Sequence, residues 1–272
     1  MNTQTTKAVI LARGLGTRMR RKDKGVVLER HQAAVAAAGM KSMMPLGGRP
    51  FLEYVLSALA DAGFVDICLV IGPDREAVRD YFERDARPRR VRVSYAIQDK
   101  PLGTADAVLS AEAFAADHRF LVINSDNYYP VEAYRDLRAL DGAGIAAFSR
   151  TALVTEGNLT KERVAGFPII ETDAQGYATR LVEPAEAGLA PDADAFISMN
   201  CWMFTPVIFR ACRAIKPSPN GELEIQVAVR HAMTALGERF RALPYRLPVL
   251  DLTSRTDIAV VTERLAGLRV MP

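Results

Sequence analysis

"AVILARGLGTRMR" (Ala8–Arg20) decides the fold class: an apolar run meets two glycines, a threonine and three arginines. "KAVILA" (Lys7–Ala12) reads as a short buried strand ended by glycine. A dinucleotide fingerprint needs glycine or alanine at the sixth position of GxGxxG, where helix and strand come close, and "GLGTRM" places Met19 there. The acid that should end a second strand is also missing, because Glu29 lies in "VLERHQAAVAAAG", which reads as an alanine-rich helix over Val26–Ala38. A Walker A loop fails as well, since no Gly-Lys-Ser/Thr follows. What remains is a glycine turn whose backbone N–H groups can converge on an oxyanion at Gly14 and Gly16. Thr17 can donate a hydroxyl, and Arg18 can grip two phosphate oxygens at once. A tight strand-to-helix turn beside a solvated basic patch explains the same residues, and this stretch alone leaves both readings open.

Similar apolar runs follow at Ile67–Gly72, Arg92–Ile97 and Phe120–Ser125. Between them, Phe51, Leu52, Val55, Leu56 and Leu59 recur at helical spacing, with Pro50 suited to the first helical position and Gly63 to the stop. Asp74–Arg84 and Thr104–Ala115 are further expected helices. Alternating strands and helices imply right-handed crossovers and a mostly parallel sheet covered on both faces. The second half is more mixed. Gly144–Arg150, Gly166–Thr172, Tyr177–Glu183 and Ala195–Thr205 read as strands, with "DAQG" (Asp173–Gly176) as a hairpin turn. Helices are expected at Pro206–Ile215, Leu223–Leu236 and Ser254–Leu268.

The chain of 272 residues is long enough for one large α/β domain or two small ones, and the absence of a linker or repeat favours one. A net charge of +3 is too mild to make nucleic acid the main partner. Three scattered cysteines without a CxxC argue against a disulfide framework or a zinc site. The polar start "MNTQTTK" and the lack of a membrane-length apolar run lead to the expectation of a soluble, cytoplasmic protein with no membrane partner.

"GxGTRM" after an apolar strand, followed by "KSMMPLGGRPFLEYVLSAL", resembles the sugar-1-phosphate nucleotidyltransferase family, including its glucose-1-phosphate thymidylyl- and uridylyltransferases. "QDKPLGTADAVLSA" is similar to the family's base-binding segment, and "FLVINSDN" to its metal-aspartate strand. "LVEPAE" and "ISMNCWMFTPVIF" resemble its sugar-pocket segments, and "NGELEI" and "PVLDLTSRTDIAVV" its closing ones, all in family order along nearly the whole chain.

The resemblance implies a single domain over residues 1–272 with the nucleotide-diphospho-sugar transferase fold. This is a Rossmann-like α/β architecture: a mixed, mostly parallel central sheet flanked by helices binds nucleotide (about 1–130), and an added antiparallel part binds sugar (about 131–272). It implies Mg²⁺-dependent transfer of a nucleotidyl group from UTP or dTTP to a sugar-1-phosphate, with release of pyrophosphate. By that likeness Leu11, Ala12, Gly14, Gly16 and Thr17 cradle the triphosphate, with Arg18 on the departing pyrophosphate and Lys41 at the reacting centre. Gln98, Gly103 and Thr104 take the base, and a glutamine amide can pair with one edge of uracil or thymine. Asp126, at the end of a strand, and Asp251 would ligate Mg²⁺. Glu183 and Asn200 would hold sugar hydroxyls, Glu222 is a weaker match, and Asp106 reads as structural. Family members commonly associate, so a homo-oligomer is expected.

Three departures stand out. Arg13 occupies a position that is usually small, and it either adds a phosphate contact or points away. The family's Glu-Lys-Pro is Glu183-Pro184-Ala185, which removes a lysine expected at the sugar phosphate, with Arg180 or Lys161 as substitutes. The link from Arg18 to Lys41 is long, carrying "RRKDK" and the alanine-rich helix, which either packs on the domain or forms a lid. "AGFPII" also fits poorly where the family has a glycine near the sugar. The departures keep two alternatives open: a non-sugar acceptor such as a cyclitol or amino-alcohol phosphate, and a non-catalytic subunit that binds sugar nucleotide.

Overall fold

Ala8 and Ile10 pack into one hydrophobic cluster and Val9 into another, and all three are fully buried. A strand covered on both faces has no polar side to show, which is why "KAVIL" lacks alternation. The structure, a computed structural model, describes residues 4–23, 25–183, 186 and 194–272. Among the described residues, nine strands share one sheet. They are β1 (Lys7–Leu11), β2 (Asp66–Ile71), β3 (Arg92–Ile97), β4 (Phe120–Asn124), β5 (Ala143–Ser149), β6 (Ile169–Thr172), β7 (Ala178–Val182), β8 (Phe196–Phe204) and β9 (Phe240–Tyr245).

The order is β7-β6-β8-β4-β1-β2-β3, with β5 on the other edge of β8 and β9 beyond it. β1 runs parallel to β2 and β4, and β2 parallel to β3. β8 opposes β4, β5 and β6, β7 opposes β6, and β9 follows β5. All strands but β7 and β8 therefore point the same way, which is the mixed, mostly parallel sheet that the sequence predicts. The hairpin between β6 and β7 turns at "DAQG", where the Asp173 side chain accepts from the N–H groups of Gln175 (3.0 Å) and Tyr177 (2.8 Å).

Helices α1 (Thr17–Arg20), α2 (Arg30–Ala38), α3 (Phe51–Asp61), α4 (Thr104–Ser110), α5 (Val131–Ala139), α6 (Lys161–Val164), α7 (Val207–Ala214), α8 (Ile225–Ala235) and α9 (Asp257–Leu265) complete the frame used below. Side chains of α3, α5 and α9 join the cluster of Ala8 and Ile10, and those of α4, α7 and α8 join the cluster of Val9. Among the described residues, no helix is long and apolar enough to cross a membrane. Cys68, Cys201 and Cys212 are buried and free.

Several boundaries differ from expectation for local reasons. The alanine-rich helix starts at Arg30 rather than Val26, because Glu29 N–H donates to Gln32 Oε1 (3.3 Å) and sets the first turn there. Pro50 caps α3 instead of opening it. The helix expected over Asp74–Arg84 is α-helical only at Glu76–Asp80 and then widens into a π turn at Tyr81–Asp85. The one expected over Thr104–Ala115 breaks at Ala111 (φ −93°, ψ 6°). β9, "FRALPY", is not among the expected strands, and it carries a proline. Pro244 is tolerated because β9 ladders only with β5 and lies at the sheet edge.

A two-residue ladder matters most for function. Asn127–Tyr128 pairs antiparallel with Leu250–Asp251, and Leu252 N–H donates to Asp126 O at 2.8 Å. It ties the end of β4 to the segment before α9.

Candidate active site

The carboxyl ends of β1 and β4 and Gln98, directly after β3, border a cavity of about 400 Å³. Open parallel sheets bind ligands at that end, where βα loops diverge. Of the residues expected at the nucleotide, Leu11, Ala12, Gly14, Gly16 and Thr17 line the cavity from the first loop. Gln98, Gly103 and Thr104 line it from the base segment, and Lys41 and Asp126 line it as well. Arg18 does not line it; it is exposed on α1, one residue past Thr17. Asp251, Glu183 and Asn200 also lie outside the lining, whereas Glu222 belongs to it.

Gly16 explains why the turn needs glycine. Its φ is +62°, and a Cβ there would sit 2.3 Å from Gly39 O at the end of α2. The long link therefore packs on the glycine turn through its C-cap, and Gly39 and Met40 form part of the cavity wall. Arg20 Nη2 donates to Ala38 O (3.0 Å) and pins the helix end from the other side. Lys24 of the basic run lies outside the described residues. Gly16→Ala is expected to cost about 1–2 kcal/mol from φ alone, and more from the backbone collision. Thermal unfolding of the variant, set against Gly14→Ala with no atom within 4 Å of its Cβ, measures it.

Arg13 resolves as a strut. Its Nε donates to Gln98 O and its Nη2 to Asp99 O (2.8 Å), so the guanidinium ties the glycine loop to the base segment. Gln98 itself is 3% exposed, and its Nε2 donates to Gly103 O (3.0 Å) and Asp106 Oδ2 (2.8 Å). Asp106 thus orients the glutamine, in keeping with its structural reading. Gly103 (φ +118°) allows the Leu223 backbone to approach, for a Cβ would meet Leu223 O at 2.5 Å. That contact brings Glu222 to the cavity.

Lys41 and Asp126 form an ion pair, with side chains 16% and 18% exposed. Asp251 is reached through the ladder and lies behind them, 6% exposed. Asn127 Nδ2 donates to its Oδ2 (3.2 Å), and Arg163 of α6 donates to its Oδ1. Arg163 also bonds Asp257 Oδ1 (2.8 Å) at the start of α9. Burial pushes the Asp251 carboxyl up from the usual carboxylate range, the Asp126 charge adds to the shift, and Arg163 opposes it. Burial pulls the Arg163 guanidinium down, but Asp251 and Asp257 together hold it above its ordinary value. Among the described residues, no cluster of three or more His, Cys, Asp or Glu side chains could hold a metal. The two aspartates make a pair.

The residues expected at the sugar lie farther along β8 and β7. Asn200 has φ +61° at the bulge where β8 changes pairing register with β5. Its Oδ1 accepts from Gln226 Nε2 (2.8 Å) and Trp202 Nε1 (3.4 Å). Glu183 Oε1 accepts from Arg230 Nη1 of α8 (3.0 Å). Pro184 and Ala185, where the expected lysine is lost, lie outside the described residues. Arg180 pairs instead with Glu171 across the hairpin (3.4 Å), so the cation beside Glu183 is Arg230. Sequence reasoning missed Arg230 and Arg75, which lie in the expected helices Leu223–Leu236 and Asp74–Arg84, and Arg163, which lies in a stretch with no expected element. No spacing signal marks them, because each meets its partner only in the folded chain.

The family model for nucleotidyl transferases matches residues 7–242. A glucose-1-phosphate thymidylyltransferase of Streptomyces antibioticus is 31% identical over 83% of this chain, which covers 56% of that protein. A UTP–glucose-1-phosphate uridylyltransferase of Haloferax volcanii is 29% identical, with 82% of each chain covered. The chain spans a little over half the length of several curated relatives it matches. A crystal structure of a UDP-glucose pyrophosphorylase complexed with UDP-glucose shares the fold, with a TM-score of 0.71, 20% identity, and coverage of 97% of this chain and 99% of that one.

Proposed function

The chain belongs to the nucleotidyl transferase family, and on that premise we propose that it transfers a nucleotidyl group from UTP or dTTP to a sugar-1-phosphate. The observation that carries this reading is the cavity itself, which gathers the glycine turn, the Gln98 segment and the Lys41–Asp126 pair. An oxygen of the acceptor phosphate attacks the α-phosphorus, the bond to the β-phosphate bridging oxygen breaks, and pyrophosphate leaves. Such a reaction depends on positioning and on neutralising charge rather than on covalent catalysis. The N–H groups around Gly14 and Gly16 and the Thr17 hydroxyl hold the triphosphate, and Lys41 moves from Asp126 to the phosphates when substrate binds. Arg18, exposed next to the lining, reaches the departing pyrophosphate only by a side-chain movement.

The donor set suits a hard divalent cation. Asp126 and Asp251 offer carboxylate oxygens, close enough that the Asp126 charge opposes ionisation of Asp251. They would hold Mg²⁺, which when bound neutralises phosphate oxygens. Two protein carboxylates are enough for such a site when substrate phosphates and water complete it.

Base choice follows from the Gln98 amide. Gly103 O and the Asp106 carboxylate only accept, so they fix the NH₂ side of the amide. The oxygen is the group left to read a base. It matches the N3–H donor of uracil or thymine, and the N1–H of guanine, and opposes the lone pairs at N3 of cytosine and N1 of adenine, so the choice of a pyrimidine over guanine rests on the family likeness. Glu183 and Asn200 serve the sugar hydroxyls in this reading, with Arg230 beside Glu183 supplying a cation near the missing lysine.

The test is pyrophosphate release from UTP, dTTP, CTP, ATP and GTP against a panel of acceptors with Mg²⁺. Turnover with UTP or dTTP and a sugar-1-phosphate is expected. Turnover only with a cyclitol or amino-alcohol phosphate would move the acceptor class, and tight sugar-nucleotide binding without any turnover would identify a binding subunit.

A further inference from the structure

Arg75 is 7% exposed and lines the cavity beside the glycine turn. It follows β2 through a tight turn in which its own N–H donates to Gly72 O (3.2 Å). Its guanidinium makes one long hydrogen bond among the described residues, from Nη1 to Ala38 O at 3.3 Å. No carboxylate among the described residues forms an ion pair with it, and none of its nitrogens is sealed in the core without a partner. The other arginines here are satisfied differently. Arg13 is bonded to two carbonyls, and Arg163 is forked between two carboxylates. Burying a cation is costly unless it is paired. The carboxyl end of α2 at Ala38 offers only a partial negative charge.

We infer that Arg75 is a phosphate-binding residue whose counter-charge is the ligand: it grips oxygens of the nucleoside triphosphate held by the Gly14–Thr17 turn. The identity of that ligand rests on the nucleotidyl-transfer reading; the presence of an anion site does not. Arg75 lines the same cavity as the Gly14–Thr17 turn, so a triphosphate cradled by the turn lies in the space that Arg75 borders. The competing role is a strut that caps α2 together with Arg20.

The two roles differ in sign. Losing a strut destabilises the free protein, whereas losing a buried unpaired cation leaves it as stable or makes it more so. Arg75→Met and Arg75→Lys would be compared with the wild-type chain by calorimetric titration with inorganic tripolyphosphate, UTP and UMP, without divalent metal, and by thermal unfolding of the free proteins. Arg75→Met is expected to weaken tripolyphosphate and UTP binding about 10- to 100-fold. UMP binding should fall less, Arg75→Lys should recover part of the loss, and the Tm of the free variant should be unchanged or higher. Unchanged tripolyphosphate and UTP affinities with a lowered Tm would overturn the inference and make Arg75 a strut. Arg75-dependent binding of tripolyphosphate in a protein that releases no pyrophosphate with any acceptor would sustain the inference and overturn the proposed activity. A wild-type chain that binds none of the three probes would overturn both.

Discussion

Asp126→Asn is expected to lower pyrophosphate release by about three orders of magnitude while leaving the fold intact. The estimate comes from the several kcal/mol that charge neutralisation at a phosphoryl centre supplies, at about 1.4 kcal/mol per factor of ten. Asparagine keeps the volume and removes the charge. The backbone tie from Leu252 N–H to Asp126 O does not involve the side chain, so the ladder that holds Asp251 survives. Lys41 loses its partner but borders the cavity, where it can turn to water. Tm should therefore move little, and the damage should lie in kcat. Lys41→Met is the companion variant, expected to lose about 10²–10³ in rate, as for other single groups that stabilise charge in a transition state. If Asp126→Asn kept wild-type turnover with normal metal dependence, the carboxylate would have no part in the chemistry.

Arg163→Met is expected to destabilise the free protein by about 3–5 kcal/mol, because it leaves two buried carboxylates without their shared cation. Asp251 and Asp257 have side chains only 9% and 7% exposed, and Arg163 is forked between them. For a chain of this size the loss corresponds to a Tm fall on the order of 10 °C. The sign of its pH dependence follows from the Asp251 carboxyl, which burial and Asp126 already push up while Arg163 opposes them. Without Arg163 its folded pKa rises further above the unfolded value. An acid of that kind is penalised above its folded pKa and relieved as pH falls through it, so the deficit of the variant should shrink on acidification. Denaturation at neutral and mildly acidic pH measures both effects. A Tm within a degree or two of wild type would mean that the remaining donors satisfy the carboxylates alone: Asn127 Nδ2 on Asp251, and Asn158 Nδ2 (3.4 Å) with the N–H groups of Thr253 (3.0 Å) and Ser254 (2.6 Å) on Asp257.

Much of the cavity lining was legible before folding was considered. The glycine turn, Lys41, Gln98, Gly103 and Asp126 lie in short segments that each carry their own chemistry, and the fold places all of them on one cavity. The strands of the first half were legible within a residue or so; for β1, β2 and β4 burial on both faces writes itself as an apolar run. Helix starts were not, because caps such as Glu29 compete with propensity, and neither was β9, whose proline is allowed only by its place at an edge. Arg18 shows the opposite limit: its motif is plain, but its exposed side chain stands outside the cavity lining.

By itself the sequence determined the class of sheet, the family likeness and the residue types offered to a phosphate, since these depend on local periodicity and on groups adjacent along the chain. Only the tertiary structure decided what those groups are bound to. The Arg13 charge, open between two roles, is taken up by carbonyls some 85 residues away in sequence. Asp251 meets the end of β4 through a two-residue ladder, and Arg75 is left as a buried cation facing the cavity with no carboxylate of the described chain to neutralise it. Such pairings join residues far apart along the chain, and no local pattern encodes them. They exist because burial forces each charge to find a partner, in the protein or in what the protein binds.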